Sequence, residues 1–419
     1  MRFSRQTLSV EEAMSKLLAK LLTGRTEQVQ IGEAYGRILA SDLHATYDLP
    51  HFDRSPLDGF AVRAVDTVGA SVDHPITLTV LETVAAGQVP SRELKKGYAT
   101  RIMTGAMMPA GADAVIMFEQ THNPAEEADT VRIKREMKPG ENVSRRGEEM
   151  AKGTIIAKTG ERINAGTLAS LATFGYSQVE VFCKPRVGLI STGSELLEID
   201  QPLAPGKIRN SNTVMLTALI AEAGGIPVSF SRLPDDLSVA KEKISECLRG
   251  VDLVISSGGV SVGDFDVIAA LVDEPEVELL FNRIAVRPGS PTTAMLMEGK
   301  PLIALSGNPG ACFLGFELFA RAAIRRFSGE THVVQQVIKA RLGVDYTKPC
   351  PYPRYLRGKL LEKDGVLHAI PDFNEKAGNL GTLKDSECFM IIPAGGSGKK
   401  VGELVDVLTH AAPTWRREG

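Results

Sequence analysis

The sequence contains few cysteines and no close group of metal-binding side chains. Its five cysteines are far apart and form no CxxC pair, and its seven histidines include no HExxH motif. This spacing argues against a disulfide framework and against a zinc knuckle. Unpaired cysteines are typical of proteins from a reducing compartment, so we expect a cytoplasmic protein.

Long apolar runs and an excess of one charge are also missing. No apolar run approaches the ~18 residues of a membrane span, and the first residues, MRFSRQTLSVEEAM, lack the apolar core of a signal peptide. The net charge is −3 and the sequence pI is about 6.2. These values argue against a general nucleic-acid or anionic-membrane binder, although they leave room for a local basic pocket. We therefore expect neither nucleic acid nor membrane as a partner.

The sequence does contain enough apolar residues to form several hydrophobic cores. The chain has 419 residues, of which 43% are hydrophobic and 24% are charged. This composition is typical of soluble globular proteins, and the length predicts two to four domains.

The first half of the chain mixes helical and β-like patterns. Ser9 and Glu12 form a capping-box pattern ahead of an amphipathic helix over 9–22. The sequence also predicts a short helix over 33–40 and another over 164–174. Between about 45 and 140, short β-like runs are interrupted by Gly and Pro, which predicts a β-rich insertion.

Strand and helix patterns then alternate regularly from residue 186. Predicted strands cover 186–192, 227–233, 251–257, 293–297 and 301–305. One helix is predicted to be capped by Ser211 or Asn212, two more are predicted to start at Asp236 and at Asp264, and the last covers 310–326. This alternation predicts a doubly wound, mostly parallel α/β domain. After Gly329 the pattern is β-like again, which predicts a small separate β domain or barrel.

Three strands of this α/β domain end in similar glycine-rich text: LISTGSE (189–195), VISSGGVSVGD (254–264) and ALSGNPG (304–310). Ligands of open parallel sheets bind beyond the carboxyl ends of the strands. Glycine lets the backbone approach a phosphate, and N–H groups and helix N-termini favour an anion. The residues alone leave two readings open, a phosphate cradle and ordinary strand-to-helix turns.

Acidic residues follow the same strands: Glu195, Asp235, Asp236, Asp264 and Asp266. Carboxylates beside a phosphate cradle favour a divalent hard cation, since they would otherwise repel the ligand. Helix capping is the alternative; it accounts well for Asp236 and poorly for Glu195.

Two arginines supply positive charge in NRIAVRPGSP (282–291). Arg283 and Arg287 are four residues apart in a strand-like run, so we expect them on the same face. Paired guanidiniums suit a phosphate or another anionic group. Two solvated arginines on a strand fit the spacing equally well.

The β-rich insertion carries two further clusters. HFDRSPLDGFAV (51–62) includes Asp58, and RIMTGAMMPAGADAV (101–115) includes Thr104. On physical grounds alone, both stretches are rich in turn-forming residues and neither is a catalytic signature.

Eight motifs occur together in one order, and they resemble the molybdopterin molybdenumtransferases, that is, the MoeA family and the related E domain of gephyrin. The resemblance covers about residues 8–410. The motifs are DRSPLDGFAV, RIMTGAMMPAGADAV, RRGEE, STGSEL, GKIRNSN, SSGGVSVGDFD, AVRPGSP and SGNPGACF. Each motif is modestly specific, whereas eight in order are highly specific.

The resemblance implies a multidomain α/β fold built around a MogA-like domain. A discontinuous helical dimerisation domain would comprise 1–45 and 140–180, with the β-rich insertion at 46–139. The α/β molybdopterin-binding domain would cover 181–329 and a C-terminal β-barrel-like domain 330–419. The family also implies a homodimer in which each active site joins the insertion of one subunit to the α/β domain of the other.

The implied activity is the insertion of molybdate into adenylylated molybdopterin, with magnesium-assisted cleavage of the pyrophosphate and release of AMP. Molybdopterin adenylyltransferase and cofactor-maturation proteins would be partners. By motif position, the catalytic residues would be Asp58, Thr104, Glu149, Glu195, Asp235 and Asp266. The metal ligands would be Glu195, Asp235 and Asp266. The cofactor-binding residues would be Thr192, Gly193, Ser257, Gly258, Gly259, Ser261, Gly263, Arg283, Arg287, Pro288, Ser306, Gly307 and Asn308.

The sequence departs from the family pattern at three site positions. Glu149 stands in GEE where GED is commoner, Ser194 in TGSEL where TGDEL is usual, and Ser290 in PGSP where PGKP is usual. The segment NEKAGNLGTL (374–383) matches the family poorly, so we predict no pterin contact there. Two other functions stay open: a non-catalytic scaffold related to gephyrin, and a nucleotide pyrophosphohydrolase of different specificity.

Overall fold

The computed structural model describes residues 6–122, 129–234, 236–260, 267–372, 376–396 and 398–409, together with the backbone of 416–417. Within these ranges, no helix combines the length and the apolar character that crossing a membrane requires.

The chain opens with helix α1 (Val10–Ala19), which the capping box starts as predicted. The Ser9 hydroxyl accepts a hydrogen bond from the Glu12 N–H, and the Glu12 carboxylate accepts one from the Ser9 N–H. The buried face of α1 belongs to the same apolar core as the later α/β domain. This first helix therefore packs on the α/β domain and not in a separate helical unit.

Short strands follow α1: β1 (Thr26–Gln30) and β2 (Leu43–His44). The predicted helix over 33–40 is wrong. Only a single 3-10 turn forms at Ile31–Glu33, and the backbone then reverses at Gly36, whose φ is +74°. Ile38 and Leu39 pair as isolated β-bridges with the 162–181 region, so long-range pairing overrides the local helical pattern.

The β-like runs of the insertion form one six-stranded sheet, in the order β6-β3-β5-β4-β8-β7. All its pairs are antiparallel except β4 with β5. Its apolar core includes Phe60, Ile116 and Val131. The strands are β3 (Gly59–Val62), β4 (Ile76–Val84), β5 (Tyr98–Ile102), β6 (Ala114–Met117), β7 (Thr121–His122) and β8 (Thr130–Ile133).

The chain then returns to the first strands through β9 (Ile155–Ala157), α2 (Ala165–Thr173) and β10 (Gln178–Phe182). β9 pairs with β2 and β10 pairs with β1, both antiparallel. The predicted helix over 164–174 is confirmed, and the Asn164 side chain caps it by accepting from the Thr167 N–H.

The α/β domain contains a six-stranded sheet in the order β14-β11-β15-β18-β17-β16. Its first four strands are parallel, as predicted, and the last two are antiparallel. β17 and β18 are antiparallel because only Glu298 and Gly299, both with positive φ, connect them. The strands are β11 (Arg186–Ser191), β12 (Leu196–Leu197), β13 (Ile208–Arg209), β14 (Ile226–Ser229), β15 (Leu253–Ser257), β16 (Val277–Phe281), β17 (Thr293–Met297) and β18 (Lys300–Leu305), of which β12 and β13 pair only with each other.

The described residues of the α/β domain also form the helices α3 (Ser211–Glu222), α4 (Leu237–Gly250), α5 (Val267–Leu271), α6 (Pro309–Gly315) and α7 (Arg321–Phe327), with a π-turn between α6 and α7. Asp236 caps α4 as predicted, by accepting from the Val239 N–H. The cap of α3 differs from the prediction, because Asn210 and not Ser211 or Asn212 accepts from the Thr213 N–H.

The C-terminal strands close into a small barrel. The order is β21-β19-β23-β22-β20, and β20 also pairs with β21, which completes the ring. Leu356, Met390 and Val407 belong to its core. The strands are β19 (Val337–Leu342), β20 (Arg354–Lys363), β21 (Val366–Pro371), β22 (Cys388–Ile392), β23 (Leu404–Thr409) and β24 (Arg416–Arg417), which lies beside β20.

Candidate active site

A cleft of about 1090 Å³ lies at the carboxyl ends of β11, β15 and β18. Parallel strands end at the same edge of a sheet, so the three glycine-rich motifs meet there. The cleft is lined by nine of the predicted site residues: Thr192, Gly193, Glu195, Ser257, Gly258, Gly259, Ser306, Gly307 and Asn308. The structure thus brings together residues that are more than 100 positions apart in the chain.

The floor of the cleft depends on glycine at the end of β15. Gly258 and Gly259 have φ values of +86° and +74°, a conformation that disfavours side chains. A Cβ atom on Gly258 would lie 2.7 Å from the Thr192 hydroxyl oxygen. The Gly258 N–H donates to the Leu305 carbonyl at 2.9 Å, and the Thr192 N–H donates to the Ser257 carbonyl at 3.1 Å. Hydrogen bonds therefore fix the three strand ends relative to one another.

The N-terminal end of α3 contributes to the same cleft through Asn210, Ser211 and Asn212. The unpaired N–H groups and the dipole of a helix N-terminus favour bound anions. The Ser306 hydroxyl lies nearby in the lining and accepts from the Asn308 N–H at 3.2 Å. The floor thus combines close backbone approach, hydroxyl groups and a helix N-terminus, which together suit a phosphate.

Glu195 is exposed and lines the cleft. Cationic side chains hold the backbone around it. Lys207 Nζ donates to the Ser194 carbonyl at 2.7 Å, and Arg232 donates to the carbonyls on either side, at 3.2 Å to Gly193 and 2.9 Å to Leu196. Gly193 has φ of +122°, and a Cβ there would lie 2.6 Å from Glu195 Oε2. The glycine therefore leaves the space that this carboxylate occupies.

Four of the predicted site residues, Asp235, Ser261, Gly263 and Asp266, lie outside the described residues. In the part of the chain that is described, no three His, Cys, Asp or Glu side chains converge into a group that could hold a metal. The metal site predicted from Glu195, Asp235 and Asp266 therefore stays a prediction.

Asp58 and Thr104, which the sequence separates by 46 positions, are in direct contact. Asp58 Oδ1 accepts from the Thr104 N–H at 2.6 Å and from the Thr104 hydroxyl at 2.8 Å. These two bonds, the backbone one first, lower the pKa of Asp58 below its ordinary value, and the positive charge of Arg101 adds to the effect. The two loops also exchange backbone bonds, from the Ser55 N–H to the Ala106 carbonyl and from the Gly105 N–H to the Ser55 carbonyl.

Glu149 lies on a loop that is joined by ion pairs to the loop preceding Asp58. Its carboxylate accepts from Arg54 Nη2 at 2.5 Å. The carboxylate of Asp53 binds the Arg145 side chain at 2.9 Å and accepts from the Arg146 N–H at 2.8 Å. The Arg146 bond is the main cause of a lowered Asp53 pKa. None of Asp58, Thr104 and Glu149 lines the cleft described above.

The predicted strand over Arg283 and Arg287 is wrong. The inference that both side chains lie on one face depended on that strand and is therefore withdrawn. Residues 282–290 form no strand, because they pair only as isolated bridges, Ile284 with Leu8 and Arg287 with Arg354. Arg287 and Pro288 line a separate cavity of about 170 Å³ at the junction with the barrel. Arg283 lines neither this cavity nor the larger cleft.

The structure adds a segment of the C-terminal region for which the sequence predicts no contact. Gly378 and Leu380 line the large cleft. The buried guanidinium of Arg357 donates to the Asn379 carbonyl at 3.0 Å and the Lys376 carbonyl at 3.3 Å. The Gly310 N–H also donates to the Ala377 carbonyl, at 2.8 Å. These bonds join residues distant in sequence, so no local pattern could reveal them.

Three family models match consecutive parts of the chain. The MoeA N-terminal region (domains I and II) matches residues 8–175, the probable molybdopterin binding domain matches 188–326, and the MoeA C-terminal region (domain IV) matches 339–409. The chain is 41% identical over 415 residues to a molybdopterin molybdenumtransferase from Staphylococcus epidermidis, covering 99% of this chain and 98% of the relative. It is 42% identical over 405 residues to one from Staphylococcus aureus, covering 96% of each.

Solved structures of molybdenum cofactor biosynthesis proteins are also similar to this chain over nearly its whole length. The crystal structure of a molybdopterin biosynthesis MoeA protein from Pyrococcus horikoshii is 33% identical, with a TM-score of 0.83 and coverage of 96% of this chain and 99% of that one. A molybdenum cofactor biosynthesis protein from Pyrococcus furiosus, 21% identical with a TM-score of 0.59 and coverage of 97% and 100%, supports the fold. This chain therefore belongs to the MoeA family, whose curated relatives above are named molybdopterin molybdenumtransferases.

Proposed function

We propose that this protein inserts molybdate into adenylylated molybdopterin during molybdenum cofactor synthesis and releases AMP. The observation that carries the proposal is the cleft at the strand ends, where nine residues from three separated motifs meet. The similarity of the chain to a molybdopterin molybdenumtransferase, over 99% of its length, indicates which substrate this cleft would bind.

The floor of the cleft would bind the pyrophosphate of the substrate. Gly258 and Gly259 let an oxygen approach the backbone where a side chain would block it. The N-terminal end of α3 would stabilise the negative charge, and the hydroxyls of Thr192 and Ser306 would offer further polar contacts. The protein then needs to form no covalent bond with the substrate, because it catalyses the reaction by orienting the substrate and stabilising the charge of the transition state.

Magnesium fits the edge of the cleft at Glu195. An exposed carboxylate beside a phosphate-binding floor is a hard oxygen donor of the kind that magnesium prefers. Glu195 would hold the ion, together with Asp235 and Asp266, which the family resemblance assigns to the same role. When bound, magnesium supplies charge neutralisation at the P–O bond that breaks.

Asp58, Thr104 and Glu149 would complete the site from a second subunit of a homodimer. The cleft is lined by residues of the α/β domain and the C-terminal region and by none of the described insertion residues. Thr104 nevertheless holds Asp58 as an exposed carboxylate, because its two hydrogen bonds favour the charged form. A fixed, solvent-facing carboxylate that does not line the large cleft is consistent with a role at a neighbouring subunit's site.

Arg283 and Arg287 remain proposed contacts to the anionic substrate. Arg287 is exposed at the junction cavity, where Arg354 and Arg357 also lie. We place the reaction in the cytoplasm, with molybdopterin adenylyltransferase as the supplier of substrate and cofactor-maturation proteins as recipients of the product.

Reconstitution tests the proposal. The purified protein would be incubated with adenylylated molybdopterin, magnesium and molybdate, and AMP release and protein-bound or pterin-bound molybdenum would be measured together. We expect both to rise in parallel and AMP release to fall when molybdate is omitted. AMP release without molybdenum incorporation would instead indicate a pyrophosphohydrolase, and absence of both would indicate a scaffold.

A further inference from the structure

The turn over residues 193–196, which carries Glu195, has a hydrogen bond at each of its four backbone carbonyls. Backbone groups supply two of these bonds. The Leu196 N–H donates to the Gly193 carbonyl at 3.3 Å, and the Ile208 N–H donates to the Glu195 carbonyl at 3.0 Å. The other two carbonyls of the turn are bound by side chains.

Both of these side chains are cationic. Lys207 Nζ donates to the Ser194 carbonyl at 2.7 Å. Arg232 Nη1 donates to the Leu196 carbonyl at 2.9 Å and also to the Gly193 carbonyl at 3.2 Å. Lys207 directly precedes β13, whereas Arg232 lies on the loop between β14 and α4. Two segments that are separate in the chain therefore hold the same turn.

Neither Lys207 nor Arg232 lines the large cleft, although Glu195 does. A cation that binds a phosphate directly would be expected among the lining residues of the cleft. The described contacts of these two side chains are instead with backbone carbonyls of the turn. Their effect on the site is therefore exerted through the position of Glu195.

The charge of the two side chains and their hydrogen bonds act in opposite directions on a cation at Glu195. Two positive charges repel a metal ion and weaken its binding. A fixed backbone strengthens binding, because less conformational freedom is lost when the carboxylate binds the ion. Lys207 and Arg232 are both exposed, so solvent and salt screen their charge. The hydrogen bonds act directly on the turn, and we expect them to have the larger effect.

We propose that Lys207 and Arg232 are positioning residues that orient the Glu195 carboxylate towards a divalent cation by fixing the turn that carries it. The inference rests on the proposed function, which assigns Glu195 to magnesium. It adds two side chains outside the cleft that determine how tightly the cation is bound.

The test measures Mn²⁺ binding to the full-length protein, with electron paramagnetic resonance to count the free ion. Mn²⁺ prefers the same oxygen ligands as magnesium. Lys207→Met and Arg232→Met remove the donors, and we expect the Kd for Mn²⁺ to increase about fivefold in each. Loss of the positive charge alone would instead leave the Kd unchanged or lower it. The sign of the change therefore separates positioning from electrostatics.

Two sets of variants accompany this measurement. Lys207→Arg and Arg232→Lys keep a charged donor and should bind Mn²⁺ within about twofold of the wild type. Lys243→Met and Arg249→Met make the same changes on α4, at positions that do not line the cleft, and should bind as the wild type does.

Steady-state kinetics give a second readout. Lys207→Met and Arg232→Met should need more magnesium for half-maximal AMP release. The maximal rate at saturating magnesium should return to the wild-type value, because Glu195 itself is retained. A general loss of structure would lower the maximal rate as well, and a thermal melt detects it.

Unchanged or tighter Mn²⁺ binding in Lys207→Met or Arg232→Met, together with weaker binding in Glu195→Gln, overturns the positioning role of that residue and leaves the proposed metal site in place. Wild-type binding by Glu195→Gln, or no binding by the wild type itself, shows that Glu195 does not hold the cation, and the positioning role then fails with it. The proposed insertion of molybdate is judged separately, by molybdenum incorporation in the reconstitution.

Discussion

At the scale of single residues, Glu195 combines an exposed carboxylate with a fixed backbone. We expect Glu195→Gln to reduce molybdate-dependent AMP release at least about tenfold, because a neutral amide is a weaker ligand for a hard cation. The unfolding free energy should change by less than about 0.5 kcal/mol, as for other exposed positions. AMP release at limiting magnesium and a thermal melt measure the two effects.

Glu198→Gln is the control for Glu195→Gln. Glu198 is also exposed and three residues away, but it does not line the cleft. The account of Glu195 is wrong if the two variants lose activity to the same extent.

The contact between Asp58 and Thr104 leads to a prediction about the pH at which the Asp58 carboxyl group titrates. Both hydrogen bonds stabilise the carboxylate, so they lower the pKa of Asp58. The stabilisation is present above the ordinary pKa of Asp and is lost as the pH falls through the lowered value. Thr104→Val removes only the hydroxyl donor, so the pKa of Asp58 should rise part of the way towards its ordinary value. Carbon NMR of the labelled carboxyl group measures the titration.

Thr104→Ser keeps both donors and should leave the Asp58 titration unchanged. An unaltered pKa in Thr104→Val would mean that the hydroxyl makes no bond to Asp58 in solution.

At the scale of elements, the end of β15 is the most constrained part of the floor. Gly258→Ala would place a methyl group 2.7 Å from the Thr192 hydroxyl at a φ of +86°. We expect a loss of about 1–3 kcal/mol in unfolding free energy from the strained backbone, together with weaker pyrophosphate binding because Thr192 must move. Denaturant unfolding and calorimetry measure these effects.

Gly250→Ala is the matched control for Gly258→Ala. An added Cβ at Gly250, the last residue of α4, would have no described atom within 4 Å apart from its chain neighbours and the backbone of its own helix. If the Gly258 variant binds pyrophosphate as the Gly250 variant does, the floor is not shaped by the absence of a side chain at Gly258.

The elements also show what local sequence patterns can predict. The capped helices at Ser9, Asn164 and Asp236 were predictable because their signals are local. The three strand ends of the cleft were predictable because topology alone places parallel strand ends together. The predicted helix over 33–40 failed because its residues pair with a segment more than 100 positions later.

Parts of the candidate site depend on contacts that the sequence does not reveal. Arg357 holds the 376–380 segment against the cleft through bonds to backbone carbonyls, which any residue type can supply. The predicted strand at Arg283 and Arg287 failed for a similar reason, since isolated bridges to Leu8 and Arg354 determine its path. Long-range contacts of this kind are invisible to a pattern with a period of two residues.

At the scale of the whole molecule, the central claim is that one active site is divided between two subunits. Glu195 lines the cleft, whereas Asp58 lies on the insertion and does not. In a mixed dimer of Asp58→Ala and Glu195→Ala chains, one site would then carry both changes and the other would carry neither. Both side chains are exposed, so neither change should unfold the protein.

The most direct measurement is the molybdate-dependent AMP release of such a mixture after mild dissociation and reassociation, with mass spectrometry to confirm the mixed dimers. Each variant alone should be inactive. Random mixing of equal amounts makes about half of the dimers mixed, each with one intact site of two, so about a quarter of the wild-type activity should return if the sites are independent. Confirmed mixed dimers without recovered activity would contradict the divided site and would assign Asp58 and Glu195 to the same subunit's chemistry.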